Sequence, residues 1–239
     1  MLDFLGIGAQ KAGTSWLYEA LLLHPELRFP ARKEVHFWDQ KRARGLDWYR
    51  ALFAGGAPGV RNGEITPAYS FLPRAVVAEI RELNPALRIF YLLRNPMERA
   101  WSSALMALQR AELTIGEASD QWFIDHFRSA GSLARGDYEA CLRTWRGVFG
   151  NEAVLVIRYE DVGRSPRAFV EAVCSHIGVD PGHCAQIPDA KLAQRVFAGL
   201  REPVRESLLP VLREIYLPRI SSLERYLGED LHAWRGTAA

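Results

Sequence analysis

Lysine is scarce in this chain. Lys11, Lys33, Lys41 and Lys191 are the whole set, so a lysine inside a glycine-bearing turn stands out against an arginine-rich background. Cysteine is scarcer still. Cys141, Cys174 and Cys184 are odd in number and carry no close spacing, which excludes a disulfide framework and reads as reduced thiols. With no C-x-x-C and no H-x-x-x-H cluster, no metal site is expected. Charge of one sign is also lacking: the net charge of +2 gives no reason to expect a nucleic-acid surface. No apolar run approaches the ~18 residues that a membrane span needs. Asp3 and the nearby glycines interrupt the pattern of a secretory leader, and a cytoplasmic location is the expectation. What remains is 239 residues, 49% hydrophobic and 24% charged, enough for one sizeable core. A single domain over 1–239 is expected, with an α/β fold.

The stretch that organises the rest is residues 4–17, FLGIGAQKAGTSWL. Phe4 to Ile7 has the apolar run of a short buried strand. It empties into a turn bearing Gly8, Lys11 and Gly13, and Thr14 and Ser15 then open an apolar run of helical character. Strand, small-residue turn and helix start can aim unpaired backbone N–H groups, and the positive end of a helix dipole, at one anion. A tight connection between two elements gives the same pattern without a ligand. Gly8 and Gly13 have P-loop spacing, but Thr14 stands where a nucleotide triphosphatase needs its lysine.

Further along, residues 28–39 combine cations, Glu34, His36, Phe37 and Trp38. They suit either a solvated connection with two rings in the core or a site. Were the segment extended, alternation would put Glu34 and His36 on one side. Residues 46–53 read as a short helix with Trp48, Leu52 and Phe53 inward, and 73–83 as a second helix ended by Asn84-Pro85. The run 87–93 has the composition of a strand buried on both faces of a parallel sheet. It delivers Arg94, after which Asn95, Pro96 and Glu98 form a helix start of capping-box type. Arg94 suits a phosphate, which a guanidinium chelates in bidentate fashion, or an ion pair with a nearby acid. A helical stretch is expected over 116–131, as a wall over a pocket or as core. A strand is expected over 153–157, and helices over 166–177 and 203–226. A kinase or triphosphatase sets Asp at the end of a strand like 87–93 to manage Mg²⁺. Arg94 there repels a metal.

Several of these segments resemble the sulfotransferases that use 3′-phosphoadenosine 5′-phosphosulfate (PAPS). Lys11-Ala12-Gly13-Thr14-Ser15 is similar to their 5′-phosphosulfate loop. Lys33-Glu34-Val35-His36-Phe37-Trp38 looks like the catalytic stretch of the heparan-sulfate type, and Gly63-Glu64-Ile65-Thr66-Pro67-Ala68-Tyr69 resembles a further element of that type, with Ile65 where a lysine is common. Arg94-Asn95-Pro96 through Ser102 is like the 3′-phosphate motif, and Arg158-Tyr159-Glu160-Asp161 is like the family's Tyr-Glu-Asp strand end.

The resemblance spans residues 4–234 and implies a P-loop-like three-layer fold, a central and mostly parallel sheet flanked by helices. It implies PAPS as co-substrate, 3′,5′-ADP as product and no metal. Lys11, Ala12, Gly13, Thr14, Ser15 and Trp16 would hold the 5′ end, and Arg94 and Ser102 the 3′-phosphate. Arg195 would stand in for a basic loop that this chain lacks. Glu34 would be the base with His36 as assistant or alternative, Lys11 would stabilise the leaving phosphate, and Lys33 would meet the acceptor. Trp38 and Tyr69, with the 116–131 segment, can build an apolar or sugar-stacking pocket for that acceptor. That acceptor is expected to be a small molecule or carbohydrate. Two other classes remain: a P-loop-like nucleotide-binding or kinase-like protein with another phosphate ligand, and a catalytically silent binding protein.

Overall fold

The computed structural model describes residues 2–194 and 202–236. The chain forms two compact units. One comprises residues 1–93 and 142–196, the other 94–141 and 197–239.

The first unit is built on five strands: β1 (Phe4–Gly6), β2 (Leu27–Arg28), β3 (Arg61–Ile65), β4 (Arg88–Leu93) and β5 (Val154–Arg158). Their order is β2-β3-β1-β4-β5, and every ladder is parallel. Strands covered on both faces need apolar residues at every position. Phe4 and Leu5 in β1 are fully buried, as are Ile89 through Leu93 in β4 to within 1%. Gly63 is set by packing: a Cβ there would meet the Phe4 ring at 1.9 Å. The helix Pro166–Ile177 covers β4 and β5 and packs on the helix Thr14–Leu21. Its His176 Nε2 bonds Ile89 O at 2.9 Å.

The direction of the connections positions the site. From β1 the chain passes to the β2/β3 side, whereas from β4 it passes to the β5 side. Neighbouring strands whose connections diverge leave a crevice at their carboxyl ends, where ligands of open α/β sheets bind.

Over 46–53, Phe53 is buried as expected, but Tyr49 takes the inward place expected of Trp48 and Leu52. Tyr49 and Phe53 are buried, while Trp48 and Leu52 are half-buried. Tyr49 stacks on Phe37 at 4.4 Å and meets Phe53 edge-on, an i,i+4 pair, so this pair sets the buried side. Trp48 instead takes the Arg44 guanidinium over its ring at 4.8 Å.

The second unit is helical, with Pro96–Arg110, Asp120–Arg128, Ala130–Arg135 and Leu209–Leu227 as its main elements. The continuous helix expected over 116–131 is divided. Ser129 is extended and its hydroxyl accepts from Ser132 N at 3.3 Å, so it caps a new helix rather than continuing the old one. The last helix begins at Leu209, later than expected, after a turn at Glu206–Leu208. Arg99 is fully buried and donates to Ser132 O and to the Tyr216 hydroxyl.

Candidate active site

The turn after β1 closes tightly before the helix begins. Ala12 N donates to Ala9 O at 3.2 Å, and Lys11 takes a left-handed backbone with φ 67°. Gly13, at φ 82°, is the N-cap. Only glycine fits there: a Cβ would lie 2.6 Å from the Tyr159 ring, and the backbone angle disfavours an L side chain as well. No side chain caps the helix Thr14–Leu21, whose first N–H groups have no intrahelical acceptor. Tyr159, whose amide is held by Leu93 O at 2.7 Å, therefore backs the loop from β5. The sequence marked Tyr159 only as part of a strand end resembling the family's, and nothing in it placed the ring against this loop.

Two of the loop residues spend their groups otherwise than expected. The Ala12 amide already has its acceptor in the turn. The Trp16 ring packs edge-on against Phe169 and its Nε1 donates to Leu192 O at 2.9 Å, so the indole serves packing rather than a ligand. Thr14 is buried, and Ser15 and Lys11 are half-buried.

Glu34 and His36 meet, but not by strand alternation. Both have left-handed backbones, φ 67° and 57°, so the segment is coiled at each and not extended. Glu34 Oε2 lies 3.6 Å from His36 Nε2, and Glu34 Oε1 accepts from Lys33 Nζ at 2.6 Å. The other imidazole nitrogen, Nδ1, is bonded by Asp39 Oδ2 at 2.9 Å. Partial burial raises the Glu34 carboxyl, but the Lys33 ammonium and His36 together outweigh it and leave it below the usual glutamate range. An ionised, half-exposed carboxylate beside an oriented imidazole is suited to taking a proton. Asp39 lay inside the stretch singled out from the sequence, yet nothing there distinguished it. The Glu34 amide donates to Ile65 O at 2.9 Å, and Ile65 pairs with Gly6 in the adjacent strand. The coiled segment and the Lys11 turn are thus fastened beyond the carboxyl ends of neighbouring strands.

Trp38 and Tyr69 do not offer the stacking surface expected of them. Trp38 is 3% exposed and Tyr69 is 0% exposed, and a ring without accessible area presents no face to an acceptor. The Tyr69 hydroxyl accepts from Phe37 N at 2.8 Å and Trp38 N at 3.3 Å. Lys33, expected at the acceptor, is held by Glu34. Beneath them lies Glu64, fully enclosed. Its Oε2 accepts from the Tyr49 hydroxyl at 2.5 Å and its Oε1 from Thr66 Oγ1 at 2.7 Å. Burial pushes its carboxyl up, and the neighbouring hydroxyls, those of Tyr49 and Thr66 first, only partly offset that. Burial and the neighbouring Glu64 carboxylate push the Tyr49 and Tyr69 hydroxyls well up, which keeps them protonated donors.

In the second unit, Asn95 caps its helix by accepting from Met97 N at 3.0 Å. Glu98, expected to close that cap, instead holds the Arg94 guanidinium, with Nε and one terminal nitrogen on Glu98 Oε2 at 3.1 and 2.9 Å. Ser102 lies one turn beyond Glu98 on the same helix face and is half-buried. The Tyr138 hydroxyl donates to Arg94 O at 2.8 Å and fixes the backbone of that residue. Arg195 lies outside the described residues.

Among the described residues, buried His24, Cys174 and Cys184 bring potential metal ligands together. Both nitrogens of His24 are already bonded, Nε2 with Asp180 O and Nδ1 with Glu26 N, and the two sulfurs bond each other at 3.6 Å. A metal there would displace a satisfied set.

This geometry agrees with what the chain is similar to. A family model described as sulfotransferase domain matches residues 2–199. Among curated proteins, heparan sulfate glucosamine 3-O-sulfotransferase 6 of Homo sapiens is 36% identical over 104 residues, 44% of this chain and 30% of that protein. The chain therefore matches under a third of the length of this relative. Carbohydrate sulfotransferase 15 of Rattus norvegicus is 24% identical over 98% of this chain and 54% of its own length. Among solved structures, a sulfotransferase from Alicyclobacillus acidocaldarius superposes with a TM-score of 0.78 at 27% identity, covering 99% of both chains. The mouse sulfotransferase SULT7A1 complexed with PAP shares the fold, with a TM-score of 0.61 at 14% identity over 95% of this chain and 88% of its own. The parallel sheet with its loop after β1, and a family match over most of the sequence, lead to one conclusion: the chain belongs to the sulfotransferase domain family.

Proposed function

We propose that this protein transfers a sulfuryl group from PAPS to an acceptor hydroxyl, within a single domain spanning 1–239. The observation that carries this is the fastening of the Lys11 turn and the Glu34–His36 segment beyond the carboxyl ends of the paired strands β1 and β3. The uncapped helix start fits a phosphate, because its N–H groups and the helix dipole both favour an anion. In this reading Lys11, the amides from Gly13 to Trp16 and the Thr14 and Ser15 hydroxyls hold the 5′ end of the nucleotide. They favour the charge that grows on the leaving phosphate oxygen, being in place before the reaction. Arg94 and Ser102 take the 3′-phosphate, an assignment supported by the motif and by Glu98, which holds Arg94 and lies one turn before Ser102 on the helix Pro96–Arg110.

Glu34 takes the acceptor proton as the hydroxyl oxygen bonds to sulfur and the S–O bond to the phosphate breaks, giving sulfate ester and 3′,5′-ADP. His36, steered by Asp39, orients the hydroxyl or shares that proton. The acceptor is a small molecule or a carbohydrate. Ile65, at the end of β3, is fully buried and offers no cation where heparan-type members carry lysine, which favours an acceptor less anionic than heparan sulfate. The site needs no metal in this reading, since Arg94 and Lys11 supply the positive charge. The protein is expected in the cytoplasm, and no described helix is long and apolar enough to cross a membrane.

Incubation with labelled PAPS and a panel of phenols, alcohols and sugars tests the proposal. Formation of labelled ester with stoichiometric 3′,5′-ADP is the expected result. Phosphoryl transfer from ATP with Mg²⁺, and none from PAPS, would replace it with the kinase-like alternative.

A further inference from the structure

Lys11 and Lys33 have parts in the chemistry proposed above, but Lys41, another of the four lysines, has none. It ends the π-helical turn Phe37–Lys41, half-buried, five residues after His36. Both of its nitrogens reach back to that residue. Nζ donates to Val35 O at 2.7 Å, and the backbone N donates to His36 O at 2.9 Å, an i→i+5 bond.

These two carbonyls flank one α-carbon. Because a peptide unit is planar, the orientation of Val35 O fixes φ of His36, and that of His36 O fixes its ψ. His36 has φ 57° and ψ 33°, a left-handed backbone that a residue bearing a Cβ keeps only where its surroundings over-determine it. The peptide after His36 has further holds: Gln40 N donates to its carbonyl at 3.2 Å, and the Tyr69 hydroxyl accepts from its N–H, that of Phe37, at 2.8 Å. The peptide before His36 has one. Among the described residues, Lys41 Nζ is the only group bonded to it, by a charge-assisted bond stronger than a neutral pair makes. The tether of Glu34 N to Ile65 O lies one peptide further back.

The imidazole goes where these planes carry it. Asp39, in the same turn, settles the rotation of the ring through Nδ1, and Nε2 comes within 3.6 Å of Glu34 Oε2. We infer that Lys41 is a positioning residue of the proton-accepting pair: by holding Val35 O, its ammonium keeps His36 in the backbone conformation that sets the imidazole beside Glu34. It works through the backbone and not through its field, since the cations that hold the Glu34 carboxyl low are Lys33 and His36. Its effect on rate presupposes the sulfotransferase reading, whereas its effect on the backbone does not.

Lys41→Met keeps the apolar stem and removes the donor, and Lys41→Arg keeps a charged donor. Steady-state kinetics with PAPS and an acceptor, beside amide hydrogen exchange of the full chain without ligand, tests the role. In Lys41→Met, kcat should fall roughly tenfold, the order expected for losing a hydrogen bond from a charged group. The KM for PAPS should stay unchanged, since the Lys11 turn is closed by its own bond from Ala12 N to Ala9 O. Lys41→Arg should keep most of the rate. Exchange at the amides of Phe37 and Gln40 should quicken by about tenfold in Lys41→Met while the β4 amides stay slow. Undiminished kcat in Lys41→Met, or equal losses in the Met and Arg variants, would overturn the inference. A raised KM for the acceptor at unchanged kcat would also overturn it, by placing Lys41 at the acceptor instead. Exchange rising equally in β4 would do the same, showing a general loss of structure. If the wild-type protein transfers nothing from PAPS, the functional reading fails, and exchange at Phe37 and Gln40 still decides what Lys41 holds.

Discussion

At the scale of single residues, the account turns on one ammonium and one carboxylate. Replacing a fixed donor to a developing charge raises a barrier by ~2.7–4 kcal/mol, so Lys11→Ala should slow turnover by roughly two to three orders of magnitude. Steady-state rates with labelled PAPS check this. Glu34→Gln should abolish transfer and leave 3′,5′-ADP affinity near that of the wild type. If His36→Ala abolishes transfer and Glu34→Gln does not, the imidazole is the base. The pH dependence follows from Lys33. Because the Glu34 carboxyl is held below its ordinary range, it stays ionised where an unpaired glutamate begins to protonate, and the acid limb of kcat/KM should lie below the usual ~4.3. Removing the ammonium in Lys33→Ala leaves burial to act against the charged form, so that limb should move up. A limb that stays in place would show that Lys33 does not set it. Residue types here were legible in the sequence, since acid and imidazole two apart near a lysine suggest proton transfer. Their geometry was not. The left-handed angles at Glu34 and His36 are imposed by the tether to Ile65 and the grip of Tyr69, both contacts across more than 30 positions of sequence.

At the scale of elements, the strands and the long helices follow from composition, and the irregular connections do not. The unbroken apolar run that became β4 and the proline-led helix Pro166–Ile177 each state their environment locally. The helix Leu46–Leu52 does not, because in so short a helix the stack of Tyr49 on Phe37 decides which side is buried. The expectation that Trp38 and Tyr69 line a pocket failed for a related reason: an aromatic in a pocket and an aromatic in a core read alike until burial is known. The loop after β1 makes its own prediction. Gly13→Ala places a methyl against the Tyr159 ring and forces a left-handed backbone on an L residue, which alone costs about 1–2 kcal/mol. Its effect on 3′,5′-ADP affinity should exceed its effect on thermal stability, and Tyr159→Ala in the same chain should recover part of the loss. Strictly additive losses, measured by calorimetric titration of the double variant, would mean that the ring does not shape the loop.

At the scale of the whole molecule, the parallel sheet with diverging connections gives the site its place, and the division into two units gives each its own part of the motif set. The sequence carries no sign of that division, since the boundaries at 93/94 and 141/142 have no linker composition and the second unit collects segments more than fifty residues apart. All three cysteines are buried, and burial together with its neighbour pushes the Cys174 thiol far up. The native protein should therefore resist Ellman's reagent at neutral pH and show all three thiols only when denatured. Fast reaction of any of them in the native state would contradict the packing of that region. The central claim, that the loop carrying Lys11 receives the 5′ end of a 3′-phosphorylated adenosine nucleotide, is tested most directly by thermal shift, because a ligand that binds only the folded state raises its apparent stability. The account predicts a clear rise in Tm with 3′,5′-ADP, a smaller one with ATP and Mg²⁺, and loss of most of the first in Lys11→Ala. Equal or greater stabilisation by ATP and Mg²⁺, or an undiminished shift in Lys11→Ala, would contradict it.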